Sequence, residues 1–244
     1  MNPDRIFSVV VSDYRTGSTL LYNIIKEIVE ILYPKTHKVY HGDNIQDITR
    51  WYLNDKNTIY LLKSHLDLRD LPFEEDLKIF YITRNHLDKV SSSLLRGYST
   101  GHNSLKDLPK DGIDIDDPNF WEQQLLNMEE TQEQLKHYQE RSNSIVIQYE
   151  EMYYNMKKII QDIANHLSLC IDNIIIERIE KKLSLNNIKN LTKGIEHSDW
   201  IEDYDTQWRG NHISILNGEP NQWMLALPEH AIISFLRKYK EINL

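Results

Sequence analysis

Residues 6–19 read Ile-Phe-Ser-Val-Val-Val-Ser-Asp-Tyr-Arg-Thr-Gly-Ser-Thr, and this stretch decides the fold. It opens with a short, apolar, β-branched run, which is typical of a strand buried in a parallel sheet. From Leu20 to Tyr33 apolar residues recur every three to four positions, which predicts a helix that Pro34 ends. A strand, a polar loop and a helix in this order predict the start of a βαβ unit.

The rest of the chain repeats this alternation. Short apolar runs predict further strands at 58–62, 77–83 and 144–149. Helical spacing predicts further helices at 86–95, 118–140, 156–167 and after Pro228. We therefore expect one α/β domain over residues 1–244, a three-layer sandwich around a mostly parallel central sheet with a phosphate-loop-like turn. In such sheets ligands bind beyond the carboxyl ends of the strands, where this chain has polar clusters.

Composition narrows the class of protein. The 244 residues are 40% hydrophobic and 27% charged, and no run approaches the ~18 apolar residues of a membrane span. One cysteine, Cys170, excludes an internal disulfide and a cysteine-built zinc or iron–sulfur site. The net charge of −9 argues against a broad nucleic-acid surface, and the N-terminus lacks a signal-peptide pattern. We expect a cytoplasmic enzyme that binds neither nucleic acid nor membrane.

The polar loop at 12–19 has the length and position of the nucleotide-binding motif G-x-x-x-x-G-K-[ST], between a buried strand and a helix. In that motif, backbone N–H groups and the helix N-terminus point at a tetrahedral anion. Ser18 stands where the motif has lysine, so triphosphate cleavage would lack much of its charge stabilisation. Arg15 instead offers a planar donor suited to two oxygens of one anion. The alternative is a structural turn with a solvated arginine.

Two further strand ends carry candidate site residues. Lys63 and His65 follow the second predicted strand, and a neutral histidine is a natural base near pH 7. A structural hydrogen bond explains a loop histidine equally well, since the chain has ten histidines. Arg84 ends the next strand and Ser92 follows on a helix, so the two could hold one phosphate. A surface arginine beside a serine-tolerant helix face is the alternative.

Two later stretches are predicted to be loops. Residues 207–223 combine arginine, glycine and tryptophan without periodicity, and loops of this composition commonly close over a ligand. Trp208 and Trp223 could equally anchor the core. Residues 97–117 are polar and long for a connection, which indicates a lid, an acceptor loop or a disordered segment.

Together these segments resemble the sulfotransferases that use 3′-phosphoadenosine 5′-phosphosulfate (PAPS). The matching pieces follow the family's order: its 5′-phosphosulfate loop at 14–21, its Lys-Thr-His-Leu segment at 63–66, its 3′-phosphate element at 80–92, its strand ending in Tyr-Glu-Asp-Met at 147–152, and its late Arg-Lys-Gly loop at 208–210. Arg15 replaces a lysine common in the family, and the late loop lacks the central lysine. The resemblance runs from Val9 to Trp223.

The resemblance implies a mechanism and a set of site residues. PAPS is the implied co-substrate and 3′,5′-ADP the product, with no metal required. His65 would take a proton from an acceptor hydroxyl or amine, while Lys63 and Arg15 stabilise charge on the leaving oxygen. The residues implied in binding the nucleotide are Arg15, Thr16, Gly17, Ser18, Thr19, Arg84, Ser92, Tyr149, Arg209 and Gly210.

Two other functions stay open from the residues alone. A phosphate-loop small-molecule kinase fits the loop but lacks its lysine, and Mg²⁺-dependent ATP turnover would identify it. A catalytically inactive nucleotide-binding protein fits the fold, although Arg15 and His65 argue against it. The expected acceptor is a small molecule or a carbohydrate, and the polar stretch 97–117 favours a sugar or polyol. The sequence indicates no oligomeric state.

Overall fold

The computed structural model describes residues 6–13, 15–42, 58–65, 77–97, 117–192 and 218–242. Within these ranges five strands form one sheet in the order β2-β3-β1-β4-β5, and every neighbouring pair is parallel. The strands are β1 Phe7–Ser12, β2 Lys38–Gly42, β3 Ile59–Ser64, β4 Lys78–Thr83 and β5 Ser144–Gln148. Their carboxyl ends therefore lie along the same edge of the sheet.

Helices connect and cover the strands. They are α1 Ser18–Leu32, α2 His86–Gly97, α3 Pro118–Gln139, α4 Tyr149–Tyr154, α5 Met156–His166, α6 Asn173–Lys182, α7 Leu185–Thr192, α8 Trp223–Ala226 and α9 Glu229–Ile242. The predicted strands and helices are present, with ends shifted by a few residues. β2, α4, α6, α7 and α8 are additions that the sequence analysis did not predict.

The strand side chains alternate between two buried faces, because successive residues of a strand point to opposite sides of the sheet. Val10 and Phe80 belong to one apolar cluster, with residues of α1, α5 and α6. Val9 and Tyr81 belong to a second cluster, which includes Tyr138 of α3. Helices therefore cover both faces, and the predicted three-layer α/β sandwich is confirmed.

The additional elements have sequences that favour another structure. β2 is an edge strand, and its polar residues interrupt the apolar pattern. In α6, Ile174, Ile175 and Ile176 favour a strand by their β-branching. However, Asp172 accepts a hydrogen bond from the Ile175 N–H at 2.8 Å, which caps a helix. The helix then buries Ile176 and Ile179 in the core.

Of the helices in the described ranges, none combines the length and apolarity that a bilayer span requires. The predicted lid at 97–117 lies outside the described residues except for its two end residues. That residues 1–244 form a single domain stays a prediction.

Candidate active site

Candidate residues from separate motifs meet at the carboxyl edge of the sheet. The loop at 13–17 follows β1, His65 follows β3, Arg84 follows β4 and Tyr149 follows β5. Because β3, β1, β4 and β5 are neighbours in this order, the residues that follow them are brought side by side. Direct hydrogen bonds from His65 to Ser12 and from Arg84 to Arg15 join three of these strand ends.

The loop between β1 and α1 lies between a buried strand and a helix, as the sequence predicts. Gly17 is the N-cap of α1, with a φ of +90°, and has no side chain to cap the first N–H groups of the helix. Arg15 has a φ of +67°, so the loop bends through the left-handed region twice. The remaining predicted loop residues are all buried: Thr16, Ser18 and Thr19. A helix N-terminus of this kind favours a bound anion.

Tyr149 packs directly against this loop. A Cβ at position 17 would lie 2.4 Å from Cδ2 of Tyr149 and 2.6 Å from Cε2, so glycine alone fits there. The sequence predicts Tyr149 as the end of a strand, but in the structure it begins α4. Its hydroxyl donates to the Gly218 carbonyl at 2.6 Å. Tyr149 therefore bridges the loop and a turn near the C-terminus.

His65 is oriented by the end of β1. Its Nδ1 lies 2.9 Å from the carbonyl oxygen of Ser12 and 3.3 Å from the Ser12 hydroxyl. Since a carbonyl oxygen only accepts, Nδ1 carries the proton and donates it there. Nε2 of the neutral ring is then the nitrogen with a lone pair, which can accept a proton. Lys63 lies two residues earlier and is half-buried near the end of β3.

Arg84 is held by two carbonyls and one aromatic ring. Nη1 donates to the Arg15 carbonyl at 3.2 Å, and Nη2 donates to the Gly218 carbonyl at 3.4 Å. Its guanidinium carbon lies 4.2 Å from the centre of the Tyr149 ring, a cation–π contact. Burial raises the pKa of Tyr149, and the Arg84 charge opposes this shift. Nε of Arg84 is buried and has no hydrogen-bond partner in the described part of the chain, which fits a ligand anion.

Ser92 accepts hydrogen bonds from Arg15. Nε and Nη2 of Arg15 donate to the Ser92 hydroxyl oxygen at 3.2 and 3.0 Å. The sequence spacing groups Ser92 with Arg84, and the structure joins both to Arg15, since Arg84 donates to the Arg15 carbonyl. The two predicted anion-binding motifs are thus one connected network.

A buried ion pair that the sequence analysis missed holds the start of the loop. Nζ of Lys89 lies 2.7 Å from Oδ2 of Asp13, and the two side chains are 5% and 33% exposed. The Thr131 hydroxyl donates to the same oxygen at 3.0 Å. Burial lowers the pKa of Lys89, and the Asp13 charge opposes this shift. Asp13 directly follows Ser12, so the pair ties the backbone that orients His65 to α2 and α3.

Two predicted site residues cannot be compared with the structure, and two residues of the site region were not predicted. Arg209 and Gly210, predicted from the late loop, lie outside the described residues. Asp88 and Gly218 contribute to the site region and were missed by the sequence analysis, since no local motif marks them. The described ranges contain no group of three or more His, Cys, Asp or Glu side chains placed to hold a metal ion.

The parallel sheet, the loop before α1 and the linked arginines define an α/β protein with a phosphate-loop-like anion site. A family model for the sulfotransferase domain matches residues 7–205, and the chain therefore belongs to the sulfotransferase family. This confirms the predicted PAPS-dependent sulfotransferase, whose activity is sulfonate transfer, over the kinase and the inactive nucleotide-binding protein.

Solved structures share this fold. The mouse sulfotransferase SULT7A1 complexed with PAP has a TM-score of 0.64 at 16% identity, over 97% of this chain and 84% of that chain. Retinol dehydratase in complex with androsterone and inactive cofactor PAP has a TM-score of 0.63 at 18% identity, over 99% of this chain and 81% of that chain. A complex of retinol dehydratase with retinol and PAP gives the same values. No curated protein matches the sequence significantly.

Proposed function

We propose that the protein transfers the sulfonate group of PAPS to a hydroxyl or amine of a small-molecule or carbohydrate acceptor, with His65 as the base. Membership of the sulfotransferase family supports the donor and the reaction. The observation that carries the site assignment is that His65 bonds Ser12 at the end of β1, while Arg84 and Ser92 bond Arg15 in the loop that follows β1. One base and two arginines brought together in this way suit an anionic donor and a proton-losing acceptor.

The 5′ end of the donor lies at residues 15–19. The N–H groups at the start of α1 and the Arg15 guanidinium supply positive charge there without a metal ion. Ser18 occupies the lysine position of a nucleotide-cleaving loop, which fits a donor whose reacting group is a sulfonate.

The 3′-phosphate lies at Arg84 and Ser92, with Arg209 and Gly210 as further contacts carried by the family resemblance. The buried, unpartnered Nε of Arg84 supports this placement, because a phosphate oxygen would give it the acceptor that it lacks. PAP, which is 3′,5′-ADP, is bound in the mouse sulfotransferase and in retinol dehydratase. The resemblance puts Tyr149 near the adenine side, and because its ring contacts the Arg84 guanidinium, Tyr149 also borders the proposed 3′-phosphate site.

His65 performs the proton transfer. Nδ1 keeps its proton and donates it in a hydrogen bond to the Ser12 carbonyl, so Nε2 accepts the proton of the acceptor hydroxyl or amine. The acceptor atom forms its bond to sulfur as the bond from sulfur to the 5′-phosphate oxygen breaks. Arg15 and Lys63 stabilise the negative charge that remains on that oxygen, as preorganised donors.

The family resemblance assigns the acceptor pocket to the segments 97–117 and 211–222, of which residues 98–116 and 211–217 lie outside the described residues. The polar character of the first segment supports a sugar or polyol acceptor. Retinol dehydratase binds androsterone and retinol in its structures, which supports a small-molecule acceptor more broadly. The composition, with one cysteine and a net charge of −9, supports a cytoplasmic location and a function without nucleic acid or membrane.

The experiment that tests this function follows labelled sulfonate. The protein is incubated with PAPS carrying a labelled sulfonate and a panel of hydroxylated and amine acceptors, without added metal. We expect label in at least one acceptor product, and transfer about 10²–10⁴-fold slower with His65→Ala. Mg²⁺-dependent ATP turnover without sulfonate transfer would instead identify a kinase.

A further inference from the structure

Asp88 is a buried carboxylate that binds backbone groups far away in the sequence. It lies in the first turn of α2, four residues after Arg84, and it is 1% exposed. Its Oδ2 accepts the Asn221 N–H at 2.7 Å, and its Oδ1 accepts the Trp223 N–H at 3.2 Å. Both carboxylate oxygens are therefore used to hold one segment, the 218–223 turn.

The 218–223 turn contacts two residues of the proposed 3′-phosphate site. The Gly218 carbonyl accepts hydrogen bonds from the Tyr149 hydroxyl and from Nη2 of Arg84. Gly218 has a φ of +69°, and a Cβ there would lie 2.9 Å from the Tyr149 hydroxyl oxygen. Asn221 has a φ of +66°, which is uncommon for a residue other than glycine. Gly218 adopts its φ without strain, whereas Asn221 does not, and it is the N–H of Asn221 that Asp88 holds.

We infer that Asp88 is a positioning residue for cofactor binding, which holds the 218–223 turn against Arg84 and Tyr149 and so sets the 3′-phosphate side of the site. This inference rests on the proposed function and deepens it. Asp88 acts through the Gly218 carbonyl, since both of its oxygens bond to the turn.

The charge of Asp88 and its hydrogen bonds predict opposite effects on a bound phosphate. Burial raises the pKa of the Tyr149 hydroxyl, and the nearby Asp88 charge adds to this shift. The charge of Asp88 therefore acts electrostatically on the proposed nucleotide site. A negative charge there repels a phosphate, so neutralising Asp88 would tighten PAP binding if charge alone mattered. Loss of a hydrogen bond to the turn predicts weaker PAP binding instead. In Asp88→Asn the side-chain oxygen can accept only one of the two backbone N–H groups, and the amide NH2 group, which cannot accept, faces the other.

The test compares PAP with 5′-AMP, which lacks the 3′-phosphate, by isothermal titration calorimetry on the parent protein and on Asp88→Asn. We expect the variant to bind PAP at least about tenfold more weakly, as for the loss of a charge-assisted hydrogen bond. Binding of 5′-AMP is expected to change less than about twofold. Tighter PAP binding, or equal weakening of both nucleotides, would overturn the inference.

Two more variants keep this test decisive. Gly218→Ala leaves Asp88 intact but displaces the turn from Tyr149, and we expect the same selective loss of PAP binding even if Asp88→Asn fails to fold. Asp172→Asn is the matched control, because it neutralises a carboxylate that also accepts a backbone N–H, at the start of α6, a helix that supplies no residue of the site. A similar loss of PAP binding in Asp172→Asn would assign the effect to general destabilisation and overturn the inference.

The nucleotide preference of the parent protein distinguishes failure of the proposed function from failure of the inference about Asp88. If it binds PAP and 5′-AMP equally, the proposed function fails, and the inference fails with it. If the parent prefers PAP and both Asp88→Asn and Gly218→Ala keep that preference, only the inference is overturned.

Discussion

The two ends of the proposed nucleotide site are built in different ways. At the sulfonate end, the backbone does the positioning, through the start of α1 at Gly17 and the Ser12 carbonyl that orients His65. At the 3′-phosphate end, Arg84 and Tyr149 are placed by side-chain contacts with each other and with Gly218, a residue distant in sequence. Backbone at a strand end is fixed by the sheet itself, whereas side-chain contacts depend on each partner.

We expect this difference in construction to separate the residues that set catalytic turnover from those that set nucleotide affinity. The sulfonate end holds His65, the proposed base, whose ring is oriented by the Ser12 carbonyl. The 3′-phosphate end offers a guanidinium whose buried Nε fits an anion. We therefore expect substitutions at the first end to change turnover, and substitutions at the second end to change nucleotide affinity.

His65→Ala is expected to have the largest effect. Loss of the general base should lower turnover by about 10²–10⁴-fold, while PAP affinity stays within about twofold. Initial rates at saturating PAPS and calorimetry with PAP measure the two quantities. His37 is a matched control, because it bonds the Thr58 hydroxyl at the amino edge of the sheet, opposite the edge that carries His65. Its alanine variant should keep full turnover. Equal loss of turnover and PAP binding in His65→Ala would indicate a structural role.

Lys89→Met tests whether the sulfonate end depends on the buried pair with Asp13. Removing Lys89 leaves the Asp13 carboxylate, which is 33% exposed and keeps the Thr131 hydroxyl as a donor, and we expect the free energy of unfolding to fall by about 1–3 kcal/mol. Urea unfolding measures this change, and turnover of the remaining folded protein should also fall, because Asp13 adjoins Ser12.

Lys158→Met is the control for that variant. Lys158 is 58% exposed in its contacts with Glu151 and Asp162, so its loss should lower the free energy of unfolding far less than the loss of Lys89. Equal destabilisation by the two lysine substitutions would contradict a special role for the buried pair.

Arg84→Ala tests the 3′-phosphate end, where we expect substitutions to change nucleotide affinity. We expect PAP binding to weaken by ~1.5–3 kcal/mol, because a charge-assisted hydrogen bond to the 3′-phosphate is lost. Binding of adenosine 5′-phosphosulfate, which has no 3′-phosphate, should change little, and turnover at saturating PAPS should largely survive. Arg178→Ala on the exposed side of α6 is the control. If the parent protein binds adenosine 5′-phosphosulfate and PAPS equally, the assignment of Arg84 is wrong.

His86 gives the smallest expected effect, a pH dependence of stability. Burial, with the Lys89 charge, lowers the pKa of His86 from 6.5 to about 4. Between these values the unfolded chain binds the proton and the folded protein does not, so the free energy of unfolding falls as pH falls. We expect a loss of about 1–2 kcal/mol between pH 7 and pH 5, which His86→Gln should remove. Equal pH slopes for parent and variant, in urea unfolding, would contradict this.

The sequence predicts the sulfonate end better than the 3′-phosphate end, for a physical reason. A buried strand, a loop with Gly17 and a helix are local features, so residues 6–33 suffice to predict the strand, the loop and the helix that the structure shows. The family motifs likewise place His65 and Arg84 at strand ends, because each follows its strand directly. These predictions depend on residues that are close together in the sequence, so a sequence pattern is enough to make them.

Long-range contacts explain what the sequence could not predict. Lys89 and Asp13 are 76 residues apart, and Asp88 and Asn221 are 133 apart, so no spacing connects them. Ser92 was grouped with Arg84 by its short spacing, whereas its hydroxyl accepts from Arg15, which is 77 residues away. Such pairs form only when the sheet order brings separate strand ends together.

A crystal structure of the protein with PAP tests the central claim most directly. We predict that the 5′-phosphate contacts the N–H groups of the loop 15–19, that a 3′-phosphate oxygen accepts from Nε of Arg84, and that Nε2 of His65 faces the 5′ end. A nucleotide bound in the reverse orientation, or bound away from the strand ends that carry His65 and Arg84, would contradict it.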